Sequence, residues 1–275
     1  MQKGTDNETK TQSGMRRTFL AIFTLLFLSF TNAATTNYPA PDDPVVKASA
    51  VKFDATLLFD QFLKNSYQTT GLQASGLSLD VFEKALTGYY NLKRNNYLNS
   101  EKELLTIIDF SKKSTEKRLW IVDLKAQKIL YNTLVAHGRN TGENIARNFS
   151  NLPNSYMSSI GFYVTNETYF GKHGLSLKLD GMDPEYNSNA RDRAIVMHGA
   201  DYATKAFIRQ TGRLGRSLGC PALPSDISAE VIELIKDNTC LYIYAPDKNY
   251  TSAYLEKEPV LEEFMEQNYT DQAAL

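Results

Sequence analysis

The feature that most constrains the fold is an alternation of apolar and polar residues that recurs between residues 104 and 246. Short segments rich in β-branched and aromatic residues repeat every second position there, and turn-forming clusters separate them. A period of two places alternate side chains on opposite faces of a strand, so this stretch predicts a mainly β domain with small helices. The predicted strands are 104–110, 118–123, 128–136, 160–165, 176–179, 194–198 and 240–245.

Two segments before the β region have apolar residues at spacings of three and four, which is the period of a helix. They predict helices over about 48–68 and 79–93, within a linker and helical extension that covers 35–103. A further short amphipathic helix is predicted over 227–238. The acidic residues 247–275 are expected to form either one helix lying on the domain or a partly disordered tail.

The first 34 residues have the order of features found in a secretory signal. Arg16 and Arg17 precede the apolar run 19–30, and small residues follow up to Ala34. A run of twelve residues is too short for a bilayer, which needs about 20 residues. We therefore expect residues 1–34 to be a signal peptide and leader. The product would be secreted to the periplasm or cell envelope, with no stable membrane insertion after cleavage.

Composition argues against several function classes. Thirty Lys and Arg residues face 31 Asp and Glu residues, and this near balance gives no basic field for a nucleic-acid partner. Two cysteines are too few for a disulfide scaffold. The three histidines, His137, His173 and His198, lie in separate segments without metal-ligand spacing. We expect no metal site and no cofactor.

Cys220 is the candidate nucleophile because it lies in the turn-like run 215–221. Gly219 before it allows close approach of the backbone, and small neighbours leave the sulfur accessible. A buried thiol and a disulfide with Cys240 are the alternatives for this residue. Cys240 itself opens an apolar strand and is interpreted as a buried hydrophobic residue.

His198 is the candidate partner of this thiol. A cysteine with a free pKa of about 8.5 needs a base or a positive field to react near neutral pH. His198 ends the predicted strand 194–198 and is followed by Gly199, so its imidazole is expected at a sheet edge where a loop can meet it. A structural hydrogen-bonding role is the alternative for a single histidine at a strand end.

A cluster of basic residues surrounds these two positions in the sequence. Between residues 186 and 222, six cationic side chains face two aspartates. The cluster is either a solvated surface or a field that lowers the pKa of Cys220 and holds substrate carboxylates. The cationic residues are Arg191, Arg193, Lys205, Arg209, Arg213 and Arg216.

Three short motifs follow one another along the β region. They are Ser158-Ser159-Ile160-Gly161-Phe162-Tyr163, Met197-His198-Gly199 and Ser217-Leu218-Gly219-Cys220. These motifs are similar to those of the YkuD-type L,D-transpeptidases. Residues 104–246 therefore resemble the catalytic domain of that family, and more closely its murein L,D-transpeptidase branch in Gram-negative bacteria. The resemblance implies a β-sandwich-like catalytic domain over 104–246.

The resemblance also implies roles for residues of the cysteine motif. Cys220 would be the acylated nucleophile and His198 its base. Ser217 would shape the site, and the backbone N–H of Gly219 or Cys220 would face the developing oxyanion.

Substrate-binding roles follow from the same resemblance, with one departure. Many family members have Arg or Asn two residues after the cysteine, where this chain has Ala222. Binding of the substrate carboxylate is therefore assigned to Arg216 or Arg213. Gly199 and Tyr163 are also expected at the substrate surface.

The implied activity is acyl transfer on peptidoglycan tetrapeptide stems through a cysteine thioester. The enzyme would be an L,D-transpeptidase that forms 3–3 cross-links or an L,D-carboxypeptidase, with carbapenems as expected inhibitors. Two alternatives stay open. One is a non-catalytic protein that binds the cell wall, and the other is a thiol peptidase acting on another exported peptide.

Overall fold

The computed structural model describes residues 44–262 and residue 264, so the predicted signal peptide lies outside the described residues. No helix in this part of the chain is both long enough and apolar enough to cross a membrane. The helices are α1 (Pro44–Thr69), α2 (Leu79–Arg94), α3 (Lys205–Thr211) and α4 (Ser225–Ile235). The strands are β1 (Leu104–Asp109), β2 (Leu119–Asp123), β3 (Lys128–Thr133), β4 (Gly161–Gly171), β5 (Gly174–Gly181), β6 (Val196–Ala200), β7 (Ala222–Pro224) and β8 (Cys240–Tyr244).

The eight strands belong to one hydrogen-bonded sheet with the order β3-β2-β1-β8-β4-β5-β6-β7. The β1–β8 and β6–β7 pairs are parallel, and the other neighbours are antiparallel. The predicted fold class, mainly β with small helices and an N-terminal helical extension, is confirmed. The strands form one curled sheet whose two ends approach each other.

Each face of the sheet has its own hydrophobic core, because successive apolar side chains of the central strands point to opposite faces. In β8, Leu241 and Ile243 belong to the inner core, whereas Cys240 and Tyr242 belong to the outer core. The inner core joins side chains from β1 and β2 with others from β5, β6 and β7, and α4 packs into it. The sheet is therefore curled around this core, and opposite ends of the sheet pack in a sandwich-like way.

The helical extension covers the outer face of the sheet. Leu86 of α2 and Trp120 of β2 are both fully buried in the outer core. A Cβ atom on Gly88 would lie 2.0 Å from the ring of Phe162, so only glycine permits this close approach of α2 to β4. The helices and the sheet thus share one core.

Residues 254–257 of the acidic C-terminal region lie on α2. This region includes a 3₁₀ turn, Ala253–Leu255. The side-chain amide of Asn91 in α2 donates to the carbonyl oxygens of Tyr254 and Glu256, each at 2.8 Å. Lys257 forms an ion pair with Glu83. These contacts attach the chain that follows β8 to the helical extension.

Two bridges bring the ends of the sheet together beside the cysteine motif. Ala136, beyond the end of β3, pairs with Ala222 in β7, and Gly138 pairs with Ser217. The two alanines exchange backbone hydrogen bonds of 2.8 and 3.3 Å. The segment that contains Cys220 is consequently held between β6 on one side and residues 136–138 on the other.

The β4–β5 hairpin is longer than the sequence predicts. Strand pairing continues to Gly171 and Gly174, which leaves Lys172 and His173 at the tip. Phe170 beside the tip is 84% exposed. The hairpin extends beyond the core on the side of the sheet where β6 carries His198.

Candidate active site

The turn before Cys220 is built by its own short side chains. Ser217 Oγ accepts a hydrogen bond from the Gly219 N–H at 3.1 Å and donates one to the Cys220 carbonyl at 2.6 Å. Gly219 has a φ of +129°, and a Cβ atom there would lie 2.9 Å from the carbonyl oxygen of Met157. Both the conformation and the lack of space require glycine. Ser217 and Gly219 therefore fix the direction in which the cysteine is presented.

Neighbouring segments hold this turn in place. Ser158 Oγ donates to the Gly219 carbonyl and accepts from the Gly138 N–H, both at 3.0 Å. The Ser217 N–H donates to the carbonyl of His137 at 3.0 Å. Ser158 belongs to the first of the three motifs, so the structure brings that motif into contact with the cysteine motif.

The Cys220 thiol is half-buried and interacts with the backbone that leads into β6. Sγ accepts from the Val196 N–H at 3.5 Å and donates to the Ala194 carbonyl at 3.6 Å. Burial raises the pKa of the Cys220 thiol, while the Val196 N–H and the cations of Arg193 and Lys172 act in the opposite direction. Because burial outweighs these effects, the thiol is protonated near neutral pH and needs a base to react.

His198 has the protonation pattern of a base. Its Nδ1 lies 2.9 Å from the carbonyl oxygen of Gly199, which can only accept, so Nδ1 carries the proton and Nε2 carries the lone pair. Burial lowers the pKa of His198, and His173 and Lys172 lower it further. The neutral ring is therefore favoured. His173 stacks on it, with ring centroids 4.3 Å apart.

The thiol lies just before one strand of a parallel pair, and the imidazole lies on the other strand. His198 in β6 is in register with Ala222 in β7, and Cys220 lies two residues before Ala222. Its sulfur contacts Val196, two residues before His198. No hydrogen bond joins Sγ to the imidazole within residues 44–262. The arrangement provides a protonated thiol in the turn before β7 and an unprotonated imidazole nitrogen on the neighbouring strand β6.

Of the two predicted oxyanion donors, one is already engaged. The Gly219 N–H donates to Ser217 Oγ, which leaves the N–H of Cys220. This N–H also helps to lower the pKa of its own thiol. If Sγ attacks a carbonyl carbon, the carbonyl oxygen becomes negatively charged. The free N–H of Cys220 would stabilise this oxyanion by a hydrogen bond.

The two arginines predicted to bind a substrate carboxylate already have a carboxylate partner. Arg213 Nε lies 2.8 Å from Glu143 Oε2, and Arg216 Nη1 lies 2.6 Å from Glu143 Oε1. Arg216 also donates to the carbonyl oxygens of Arg139 and Gly142. In this structure both side chains tie the cysteine segment to the loop after β3.

The structure corrects the prediction that Tyr163 contacts substrate. Tyr163 is 0% exposed in the inner core, and its hydroxyl donates to the Ser159 carbonyl at 3.2 Å. The glycine at position 199 has a structural reason that does not involve substrate. A Cβ atom there would lie 2.3 Å from Ser228 Oγ of α4. Gly199 allows β6 to pack against α4, and its carbonyl orients the imidazole of His198.

Four residues near the thiol or the imidazole were not assigned to the site from the sequence. Lys172 and His173 approach the site from the tip of the β4–β5 hairpin, and Arg193 precedes β6. Burial raises the pKa of Tyr202 to about 12, and the neighbouring Cys220 contributes to this shift. Arg193 was included only in the basic cluster, and no local signal marked the other three.

His137 has a structural role in this arrangement. Arg118 Nη2 donates to His137 Nδ1 at 2.7 Å, and His137 Nε2 donates to the Gly142 carbonyl at 3.2 Å. Burial and the Arg118 cation lower the pKa of His137 to about 3. The ring is neutral and holds the loop after β3 beneath the cysteine segment. The structure, where it is described, contains no group of three His, Cys, Asp or Glu side chains suited to a metal ion.

Comparison with known families identifies the fold that carries this site. Residues 73–244 match the family model of the L,D-transpeptidase catalytic domain, which is more than half of the chain. The chain belongs to this family. The matched L,D-transpeptidase domain begins before α2, so it includes a helix that the sequence analysis placed in the extension. Among curated proteins, none matches the chain.

Solved L,D-transpeptidase structures are similar to the chain at low sequence identity. An L,D-transpeptidase from Mycobacterium smegmatis is 10% identical with a TM-score of 0.34, over 52% of this chain and 59% of that one. The L,D-transpeptidase LdtMt1 in complex with imipenem is 12% identical with a TM-score of 0.33, over the same shares of the two chains. An L,D-transpeptidase from Stackebrandtia nassauensis is 14% identical with a TM-score of 0.32, over 68% and 78%. The chain thus spans less than two thirds of the length of the first two structures.

Proposed function

We propose that this chain is an exported cysteine acyltransferase that acts on peptidoglycan tetrapeptide stems. The observation that carries the proposal is the presence, in neighbouring segments of an L,D-transpeptidase domain, of the Cys220 thiol and of an imidazole whose free nitrogen is Nε2. A thiol with a raised pKa reacts through a base, and a neutral His198 on the adjacent strand can act as that base.

In the proposed first half-reaction, Cys220 Sγ attacks the carbonyl carbon between diaminopimelate and the terminal D-Ala. The thiol proton moves to Nε2 of His198, and the carbonyl oxygen becomes an oxyanion near the Cys220 N–H. When the C–N bond breaks, His198 returns the proton to the leaving amine of D-Ala. The products are free D-Ala and a thioester on Cys220.

In the second half-reaction an acceptor attacks the thioester. The side-chain amine of a second stem would give a 3–3 cross-link, and water would give L,D-carboxypeptidase activity. In either case His198 takes a proton from the acceptor and the thiol of Cys220 is regenerated. The same acylation by a strained β-lactam carbonyl would make carbapenems covalent inhibitors of this chain.

The exported location is part of this proposal, because the substrate lies outside the cytoplasmic membrane. In a Gram-negative host that expresses the full chain, we expect a periplasmic product whose new amino terminus lies close to Ala33 or Ala34. Amino-terminal sequencing of the periplasmic protein measures this. A chain that retains residues 19–30 in the membrane fraction would contradict cleavage near Ala34 and would not bear on the proposed reaction.

The reaction itself is tested with purified disaccharide-tetrapeptide. We expect release of D-Ala, together with a dimer in which two stems are joined or a disaccharide-tripeptide, and mass spectrometry distinguishes these products. The same assay is repeated with a disaccharide-tetrapeptide whose terminal carboxylate is amidated. Binding of the muropeptide without any product would favour the wall-binding alternative. Cleavage of an unrelated peptide but not of the muropeptide would favour the thiol peptidase.

A further inference from the structure

Arg193 differs from the other partly buried arginines of the basic cluster because it has no carboxylate partner in the described structure. Arg191 is paired with Asp180, and Arg213 and Arg216 share Glu143. Arg193 is half-buried and has no carboxylate partner among residues 44–262. A cation that is partly withdrawn from water needs either a counter-ion or hydrogen bonds to other acceptors. The surroundings of Arg193 show which of these it has.

The guanidinium of Arg193 is fixed by neutral acceptors only. Both terminal nitrogens make two hydrogen bonds each, so all four terminal N–H groups are engaged and cannot also grip a substrate carboxylate. These bonds hold the loop that packs behind the cysteine turn. The acceptors are Ser150 O at 2.7 Å, Ser159 Oγ at 2.5 Å, Ser155 Oγ at 3.1 Å and Met157 O at 2.7 Å.

The fixed charge lies beside the nucleophile. Arg193 Nη2 is 3.5 Å from the position that a Cβ atom on Gly219 would occupy, and Gly219 precedes Cys220. The groups that act electrostatically on Arg193 are Tyr163 and Cys220. The Tyr163 hydroxyl is fully buried and its pKa is raised, so it stays neutral. Of these two groups, Cys220 is therefore the one whose ionised form the Arg193 charge can stabilise.

We propose that Arg193 is a positioning residue whose fixed, unpaired charge stabilises the thiolate of Cys220 while its hydrogen bonds hold the loop behind the turn. The proposal rests on the proposed function only in taking Cys220 as the reactive thiol. A charge held rigidly in a partly buried position is screened less by water and salt than an exposed one.

Other charged and titratable groups face the same thiol from different elements. Lys172 reaches it from the hairpin tip but is exposed, so its field is weaker. His198, beneath the exposed His173, favours its neutral form, and Tyr202 is neutral because its pKa is raised. Arg193 is thus the cation among these groups that is both partly buried and held in one position.

The test measures the thiol pKa without any peptidoglycan substrate. The rate of Cys220 alkylation by iodoacetamide is followed against pH, and peptide mass spectrometry separates Cys220 from Cys240. We expect Arg193→Gln to raise the Cys220 pKa by about one unit and to slow alkylation at pH 7 about tenfold, with the rate at high pH unchanged. Arg193→Lys should keep most of the parent profile. The matched control Arg191→Gln, which removes an exposed and paired arginine, should match the parent.

A second variant tests the same proposal if Arg193→Gln does not fold. Ser155→Asp places a carboxylate next to Arg193 Nη2 and neutralises its charge while the arginine stays in place, so it should also raise the thiol pKa. Ser159→Ala removes one loop contact without changing any charge and should leave the pKa unaltered. If the variants that remove or neutralise the charge keep the parent pKa, or if Ser159→Ala shifts it equally, Arg193 only holds the loop. Because no turnover is measured, these results do not depend on whether the muropeptide is a substrate.

Discussion

We expect Cys220→Ala to release no D-Ala from the tetrapeptide and to form no covalent adduct with a carbapenem. The thioester requires sulfur, and in the described structure the other cysteine, Cys240, is fully buried and cannot replace it. Intact-protein mass after carbapenem exposure and free D-Ala after incubation with muropeptide measure the two losses. A variant that still gains the carbapenem mass, or releases D-Ala at the parent rate, would show that Cys220 is not the nucleophile.

Cys240→Ala is the matched control for this substitution, because it removes the only other thiol. Cys240 lies in β8, packs in the outer core and is a free thiol in the structure. Loss of a small buried group lowers the free energy of unfolding without changing the site, at a cost of about 1 kcal/mol. Adduct formation and D-Ala release should therefore stay at the parent level. Loss of the adduct in this variant would mean that the chemistry had been assigned to the wrong cysteine.

We expect His198→Ala to slow acylation by about a hundred- to ten-thousandfold at neutral pH, which is the usual contribution of a general base. The thiol remains in place but stays protonated, since burial raises its pKa. Raising the pH ionises the thiol directly. The variant should therefore recover part of the lost rate, starting only above the ordinary thiol pKa of about 8.5.

The measurement is the rate of carbapenem adduct formation against pH for the parent and for His198→Ala. The ratio of the two rates should be largest near neutral pH and should narrow as the pH rises. Equal rates at neutral pH would remove His198 from the reaction and leave the fold unaffected. A constant ratio at all pH values would mean that the imidazole positions the substrate instead of accepting a proton.

Strands with two buried faces could be predicted from the sequence, and exposed or very short elements could not. β1, β2 and β8 are almost completely buried and are continuous in apolar residues, so their positions were predicted to within a residue or two. The outer half of the β4–β5 hairpin is exposed on both faces, so no apolar period marks it. β7 has three residues and ends in a proline, which gives no period at all.

Candidates for the chemistry of the site can be chosen from the sequence where residue types are scarce. Cys220 and His198 stand out because the chain has only two cysteines and three histidines, and their catalytic roles stay predictions. Tyr163 was misassigned because an aromatic residue near the first motif does not reveal which face of β4 it occupies. Its neighbours show that this face is the inner core.

Charged partners could not be predicted, because pairing depends on contacts between distant segments. Arg213 and Arg216 were expected to be free for a carboxylate, yet Glu143 from the loop after β3 binds both. The role of Arg193 became visible only when its acceptors, spread over residues 150–159, were known to be neutral. A count of charges along a short stretch of sequence reveals neither the ion pairs of Glu143 nor the neutral acceptors of Arg193.

The bridges that join the two ends of the sheet have a consequence for folding. Ala136 and Ala222 are separated by more than eighty residues. Bringing the ends of so long a loop together lowers the entropy of the chain, and this cost arises before the hydrogen bonds of the pairing stabilise it. Local hairpins such as β2–β3 and β4–β5 can form first, and these bridges come late. The turn that presents Cys220 is fixed by the same bridges. The turn that holds Cys220 is therefore expected to be assembled late, so a folding intermediate with most of its strands paired would still lack it.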